Sequence, residues 1–376
     1  MSIFSVLKLK IKNLKLRRKS RVFLDTASAT PIRSEVLEVV RAYEDGNFAL
    51  NSASGGVGQT FTNVNVLANP SALYLEARVA KEHLSLARKE VARALNTTSS
   101  QIIFTSGGTE ANNIALLGVF KKVTSSATRP GGGRPPHIIS SVTEHPAIRE
   151  VLSEIERQGG EVTLITPRPD GIITAEQVLE ALRPETILVS IMYVNNEIGV
   201  VQPIKEIVKK IREKRQEIRD MKGGENAPYP YFHTDACQAP LWYGLDVSTL
   251  GVDLLTLDGL KIGGPRGVGC LYVKDGTEIA PVMYGGGQEG GLRSGTENVG
   301  GYLGFAKALT LAKAEKIEVG ERVLKLRDEF WKNIQTKFPL ATINGSLKHR
   351  APNNLNVCFP GVDAEYLTVA LDTYGV

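Results

Sequence analysis

Residues Gln101–Asn113 read QIIFTSGGTEANN, a β-rich run, two glycines and the start of a helix at Thr109. The same strand, turn and helix alternation continues downstream. His137–Ser141 and Glu161–Ile165 read as strands. Thr174 is placed to cap a helix running through Leu182, because its hydroxyl accepts an exposed backbone N–H. Thr186–Tyr193 is rich in β-branched residues and predicts a strand. Pro203 opens a helix with Ile204, Ile207, Val208 and Ile211 on one stripe. Tyr231–Asp235, Asp253–Leu257 and the GCLYV run at Cys270 predict further strands. Such alternation predicts an α/β fold: a three-layer large domain with a mainly parallel sheet between helices. Upstream, Ala80, Leu84, Ala87, Val91 and Leu95 recur at helical spacing within Ala77–Leu95.

Composition narrows the rest. The chain has 376 residues, 42% hydrophobic and 23% charged, which excludes wholesale disorder and permits a large core. Lys and Arg number 45 against 40 Asp and Glu, but residues 1–21 hold eight bases and no acid. The remainder therefore sets 37 bases against 40 acids, a net charge of −3. The basic character belongs to an extension, so a body-wide nucleic-acid surface is not implied. That extension is expected to be a solvated arm. No stretch of about 18 uninterrupted apolar residues predicts a membrane span. The three cysteines, Cys237, Cys270 and Cys358, lie far apart and form no CxxC pair, so neither a disulfide framework nor a zinc site is expected. A reducing, cytoplasmic location follows as the expectation. Ser125–Pro136 (with RPGGGRPP) and Lys222–Pro230 (with GGENAPYP) predict surface loops. A composition change near Gly300 suggests three parts: the basic extension 1–21, a large domain over 22–300, and a smaller, incomplete α+β domain over 301–376.

Three segments carry candidate chemistry. The glycine turn before Thr109 offers free backbone N–H groups and a helix dipole suited to phosphate, although such turns are also common structural devices. In HTDACQ (His233–Gln238), Asp235 ends a strand and points to a ligand crevice or caps the next helix. In LDGLKIGGPRGVG (Leu257–Gly269), Lys261 is a nucleophile in a partly dry pocket or an ordinary loop lysine. Their order changes the weighing. A phosphate turn, an Asp on a later strand and a Lys soon after it are what pyridoxal phosphate requires. His145, in TEHPAI, either stacks on the ring face or, taken as a single His, is a hydrogen-bonded structural residue.

From about Val22 onward the chain resembles the class V aminotransferase family, specifically the cysteine desulfurases. The resemblance rests on FLDTASATP (Phe23–Pro31), NPS (Asn69–Ser71), TSGGTEANN, TEHPAI, VNNEIGVVQPI (Val194–Ile204), HTDACQ, DGLKIGGPRGVG, GGGQEGGLRSGTEN (Gly285–Asn298) and NNLNV (Asn353–Val357), in the family's order. It implies the type I fold of pyridoxal 5′-phosphate enzymes. By resemblance, Lys261 holds the cofactor covalently and Asp235 pairs with its ring nitrogen. Gln238 contacts the phenolic oxygen, His145 stacks and assists proton transfer, and Asn196 adds a contact. Gly108 and Thr109 hold phosphate, and Thr296 reaches the phosphate of the neighbouring subunit of a homodimer. The implied reaction takes sulfur from L-cysteine, giving alanine and a persulfide for an iron–sulfur scaffold or a thiolation protein.

Three departures from the family pattern stand out. Asp258 and Leu260 occupy positions where the family has a Ser that donates to phosphate and a His. A carboxylate there would repel a phosphate dianion unless it turned away or were protonated. The persulfide-forming Cys has no counterpart, and each of the three cysteines is expected to be a small core residue. The Arg that grips the substrate carboxylate also has none. Transamination, β-elimination or a catalytically silent dimer scaffold are the competing expectations.

Overall fold

The computed structural model describes residues 21–46, 68–126, 134–221 and 229–376. The basic extension through residue 20 and most of the two Gly/Pro-rich stretches lie outside the described residues.

Short, mostly buried strands build one mixed sheet: β1 (Ile102–Thr105), β2 (His137–Ser141), β3 (Glu161–Ile165), β4 (Thr186–Ser190), β5 (Tyr231–Asp235), β6 (Leu254–Asp258) and β7 (Gly269–Val273). Their spatial order is β1-β7-β6-β5-β4-β2-β3. Pairings from β3 through β2, β4 and β5 to β6 are parallel, and β7 runs antiparallel to both β6 and β1. The mainly parallel α/β fold is therefore present. β4 stops at Ser190, three residues before the expected end, although Ile191 N and Tyr193 N still donate to His233 O and Asp235 O of β5. β6 runs one residue further than expected and ends on Asp258.

The helices are α1 (Ser34–Glu44), α2 (Leu75–Leu95), α3 (Gly108–Thr124), α4 (Pro146–Arg157), α5 (Ala175–Ala181), α6 (Ile204–Met221), α7 (Val247–Leu250), α8 (Val299–Lys337) and α9 (Ala364–Thr373). Successive strand residues point to opposite faces, which makes two cores. Ile103, Ile138, Leu188, Tyr231, Leu254 and Leu271 pack with α3 and α4 on one face. Phe104, Ile139, Val189, Phe232, Leu255 and Tyr272 pack with α1, α2, α6 and α8 on the other. Because both faces are covered, the central strands bury apolar residues on each, and polar members such as Ser190, His233 and Thr256 are hydrogen-bonded to one another inside the sheet. Burying each large side chain contributes about 1.5–3 kcal/mol. Local sequence sets the helix starts. Thr174 accepts from Gln177 N, and Gln177 Oε1 accepts from Thr174 N, the reciprocal cap that begins α5.

α8 is buried only from Val299 to Ala312, where Tyr302 stacks on Phe104 with ring centroids 4.1 Å apart. Beyond it lie a two-stranded sheet, β8 (Thr342–Ile343) with β9 (Val357–Cys358), and α9, which buries no side chain. Here one expectation is corrected. Cys237 and Cys270 are buried, but Cys358 is exposed, because no layer among the described residues covers its small sheet.

Candidate active site

The sheet delivers its strand ends to one place. β1 ends before the Ser106-Gly107-Gly108 turn and β2 before His145. The chain after β4 carries Met192 and Asn196. β5 ends at Asp235, and β6 ends at Asp258, just before Lys261. A cavity of ≈ 670 Å³ opens there, lined by Gly108, Thr109, His145, Asn196, Asp235, Gln238 and Lys261. These ends all lie at the carboxyl edge of a parallel set, where open α/β sheets bind ligands. Seven of the eight residues expected in the site thus share one cavity. Thr296 is exposed and does not line it.

The glycine turn is stereochemically specific. Gly107 has φ +148°, and a Cβ on Gly108 would lie 2.7 Å from Cys237 Sγ. Asp235 is held from two sides: Asn112 Nδ2 donates to Oδ2 at 2.7 Å and Cys237 N to Oδ1 at 3.0 Å. Burial, reinforced by Asp235 and Asp258, pushes the Cys237 thiol well above its ordinary value, so it is a poor nucleophile. His145 caps α4, its Nδ1 accepting from Ala147 N at 3.1 Å. In the neutral ring that bond leaves the proton on Nε2. Beside it, burial raises Glu144 well above the usual carboxylate range, opposed only partly by the bond from Met192 N at 2.9 Å.

Lys261 is held by the amino-terminal arm. Its Nζ donates to Ser28 O at 2.6 Å and Ala27 O at 3.0 Å, and Gln238 Nε2 donates to the same Ala27 O at 2.8 Å. The arm is itself pinned to the lysine turn, since Thr30 N and Oγ1 both donate to Leu260 O. The arm carbonyls, Asn112 and Glu144 were not singled out from sequence. Asn112 and Glu144 lie inside quoted motifs, but only their spatial neighbours give them a role.

Across from the lysine, Asp258 does not turn away from the glycine turn. Its Oδ2 accepts from Gly108 N at 3.0 Å and its Oδ1 from Leu260 N at 2.8 Å. A second carboxylate, Glu110 in the first turn of α3, accepts from Ser106 N at 2.6 Å and from Arg293 Nε at 2.7 Å. Arg293 therefore spends its charge on Glu110. On the far rim, Asn354 and Asn356 both donate to Glu197 O, tying the C-terminal segment to the turn that carries Asn196.

A family model for Aminotransferase class-V matches residues 22–376. Cysteine desulfurase IscS of Dictyoglomus turgidum is 37% identical over 358 residues, covering 95% of this chain and 80% of that protein. Cysteine desulfurase IscS of Methanosarcina thermophila is 38% identical over 355 residues, covering 94% and 78%. Among solved structures, a NifS-like protein superposes with a TM-score of 0.81 at 29% identity, covering 95% of this chain and 86% of that one. DndA from Streptomyces lividans gives 0.73 at 33% identity, covering 93% and 88%. Sheet, cavity and similarity agree: the chain belongs to the class-V aminotransferase family, in its cysteine desulfurase-like branch, and is a pyridoxal-phosphate enzyme.

Proposed function

We propose that the chain takes the sulfur of L-cysteine and passes it to an acceptor thiol, giving L-alanine and a persulfide. The balance is redox-neutral: one cysteine and one thiol yield one alanine and one hydropersulfide. The persulfide sulfur is destined for iron–sulfur clusters or thio-cofactors. The enzyme is read as a cytoplasmic homodimer with its cofactor unit over 22–300 and a smaller unit over 301–376. The single observation that carries this reading is that Lys261 and Asp235 line the same cavity.

The donor set fits the cofactor. An amine, a carboxylate already hydrogen-bonded on both oxygens, an imidazole and a glycine turn at a helix start share a cavity of suitable size. When bound, pyridoxal phosphate supplies an electron sink next to the substrate's α-carbon. Lys261 is assigned to hold it and to carry a proton on Nζ. Asp235, oriented by Asn112, supplies the counter-charge for the ring nitrogen. His145 presents Nε2 as a proton carrier, while Gln238 and Asn196 orient the ring. Thr109 faces the phosphate end, and Thr296 is assigned to the neighbouring subunit's site.

The test is product analysis with L-cysteine and dithiothreitol as acceptor. Wild type is expected to release alanine and sulfide in equal amounts, and Lys261→Ala to fall to the uncatalysed background. Pyruvate and ammonia in place of alanine would move the assignment to β-elimination. Unchanged activity in Lys261→Ala would end it.

A further inference from the structure

Asp258 is the feature of the cavity that the proposed chemistry leaves without a task. It lines the cavity that holds Lys261 and Thr109. Its carboxylate bridges the first N–H of α3, at Gly108, and the backbone of the lysine turn, at Leu260. No ion pair involving Asp258 is found among the described residues, and the guanidinium of Arg293 is committed to Glu110, on the first turn of α3. Among the described residues, the hydrogen bonds that the Asp258 carboxyl accepts come from backbone N–H groups, one of them at the positive end of a helix. A phosphate group entering at this helix start seeks the same Gly108 N–H and the same dipole.

From this geometry we infer that Asp258 is a built-in competitor for the cofactor's phosphate. It lowers the affinity for the phosphorylated cofactor selectively and makes that cofactor exchangeable. The inference rests on the cofactor assignment above and deepens it. Two consequences follow from charge. A phosphate dianion must displace or crowd the carboxylate, and like charges at contact distance repel strongly in a partly buried site. An aldehyde lacking the phosphate meets Lys261 and Asp235 without that opposition. The penalty therefore appears in the ratio of affinities for pyridoxal 5′-phosphate and pyridoxal, whatever the turnover.

The experiment titrates both aldehydes into wild type, Asp258→Asn and Asp258→Ser. It follows the visible absorbance that depends on Lys261, with Lys261→Ala as the blank. Asn keeps an acceptor for one backbone N–H, so it guards against loss of the turn. Affinity for the phosphorylated form is expected to rise about tenfold or more in both variants, with pyridoxal held within about threefold. Inorganic phosphate is expected to raise the melting temperature of Asp258→Ser but not that of wild type. Parallel shifts for both aldehydes would reduce Asp258 to a residue that positions the lysine turn and overturn the inference. So would unchanged or weaker binding of the phosphorylated form. If neither aldehyde gives a Lys261-dependent signal in any protein, the cofactor assignment itself fails, and this inference with it.

Discussion

Replacing Arg88 by Met removes the partner of Glu289, the most buried carboxylate in an ion pair among the described residues. Glu289 keeps only 1% of its side chain exposed and Arg88 keeps 19%. The guanidinium donates twice to the carboxylate, at 2.6 and 2.7 Å, and once to Ile102 O at 2.5 Å. It also lies 4.9 Å from the Phe104 ring centroid. After the substitution, the carboxylate retains one bond, from Phe104 N at 2.8 Å. An uncompensated buried charge costs about 3–5 kcal/mol, and the lost ring contact about 0.5–1 kcal/mol. A loss of about 4 kcal/mol is therefore expected from urea unfolding followed by circular dichroism. Arg88→Met/Glu289→Gln removes both charges while leaving an acceptor for Phe104 N. It is expected to recover about 2 kcal/mol of that loss. A single-variant loss below about 1 kcal/mol, or a double variant no better than the single, would refute the reasoning.

Further outcomes follow from other contacts. His233 is fully buried between the Ser190 and Thr256 hydroxyls, and burial pushes it down to about 4. Its folded value lies below the ordinary 6.5, so the unfolded chain binds the proton first and stability falls as pH drops from 6.5 to 4. Urea midpoints at pH 7, 5.5 and 4 should show the decline, about 3 kcal/mol from this residue at the acid end, with a shallower slope in His233→Gln. Asn112→Leu removes the donor to Asp235 and should cut kcat/KM for cysteine by about 10–100-fold with an unaltered circular dichroism spectrum. An unaffected kcat/KM would show that Asp235 needs no orienting partner. Gly199 has φ +67°, and a Cβ there would meet the Asn354 side chain at 2.4 Å. Gly199→Ala should lower stability by about 1–3 kcal/mol and speed proteolysis near residue 354. Wild-type cleavage rates would contradict the proposed coupling between that turn and the C-terminal segment.

The strands were legible because both sheet faces are covered. His137–Ser141 and Tyr231–Asp235, buried throughout, come out with the expected bounds, and so does the partly exposed edge strand Glu161–Ile165. Strand ends were harder to read. Past Ser190 the β-rich sequence continues, and Ile191 and Tyr193 still bond to β5 while Met192 between them faces the cavity, so the strand's end is not marked by a change of residue type. Cys358 was misread because a strand-like sequence does not reveal whether a second layer lies over it. In the site, Lys261, Asp235 and His145 were legible through their motifs. Their partners were not, because those contacts join distant parts of the chain: Ala27 and Ser28 reach Lys261 across more than 230 residues. Asp258 stood out in the sequence as an awkward charge. Only the fold gives it two backbone donors and a rival for them.

The lysine amine and the Gln238 amide share one carbonyl of the amino-terminal arm, so the arm is wired to two residues of the cavity at once. Any aldehyde that captures the amine withdraws two donors from Ala27 and Ser28. Ala27 O keeps the Gln238 donor, so the change falls on Ser28 O. Loading the pocket and releasing Ser28 O are, on this wiring, one event observed from two ends.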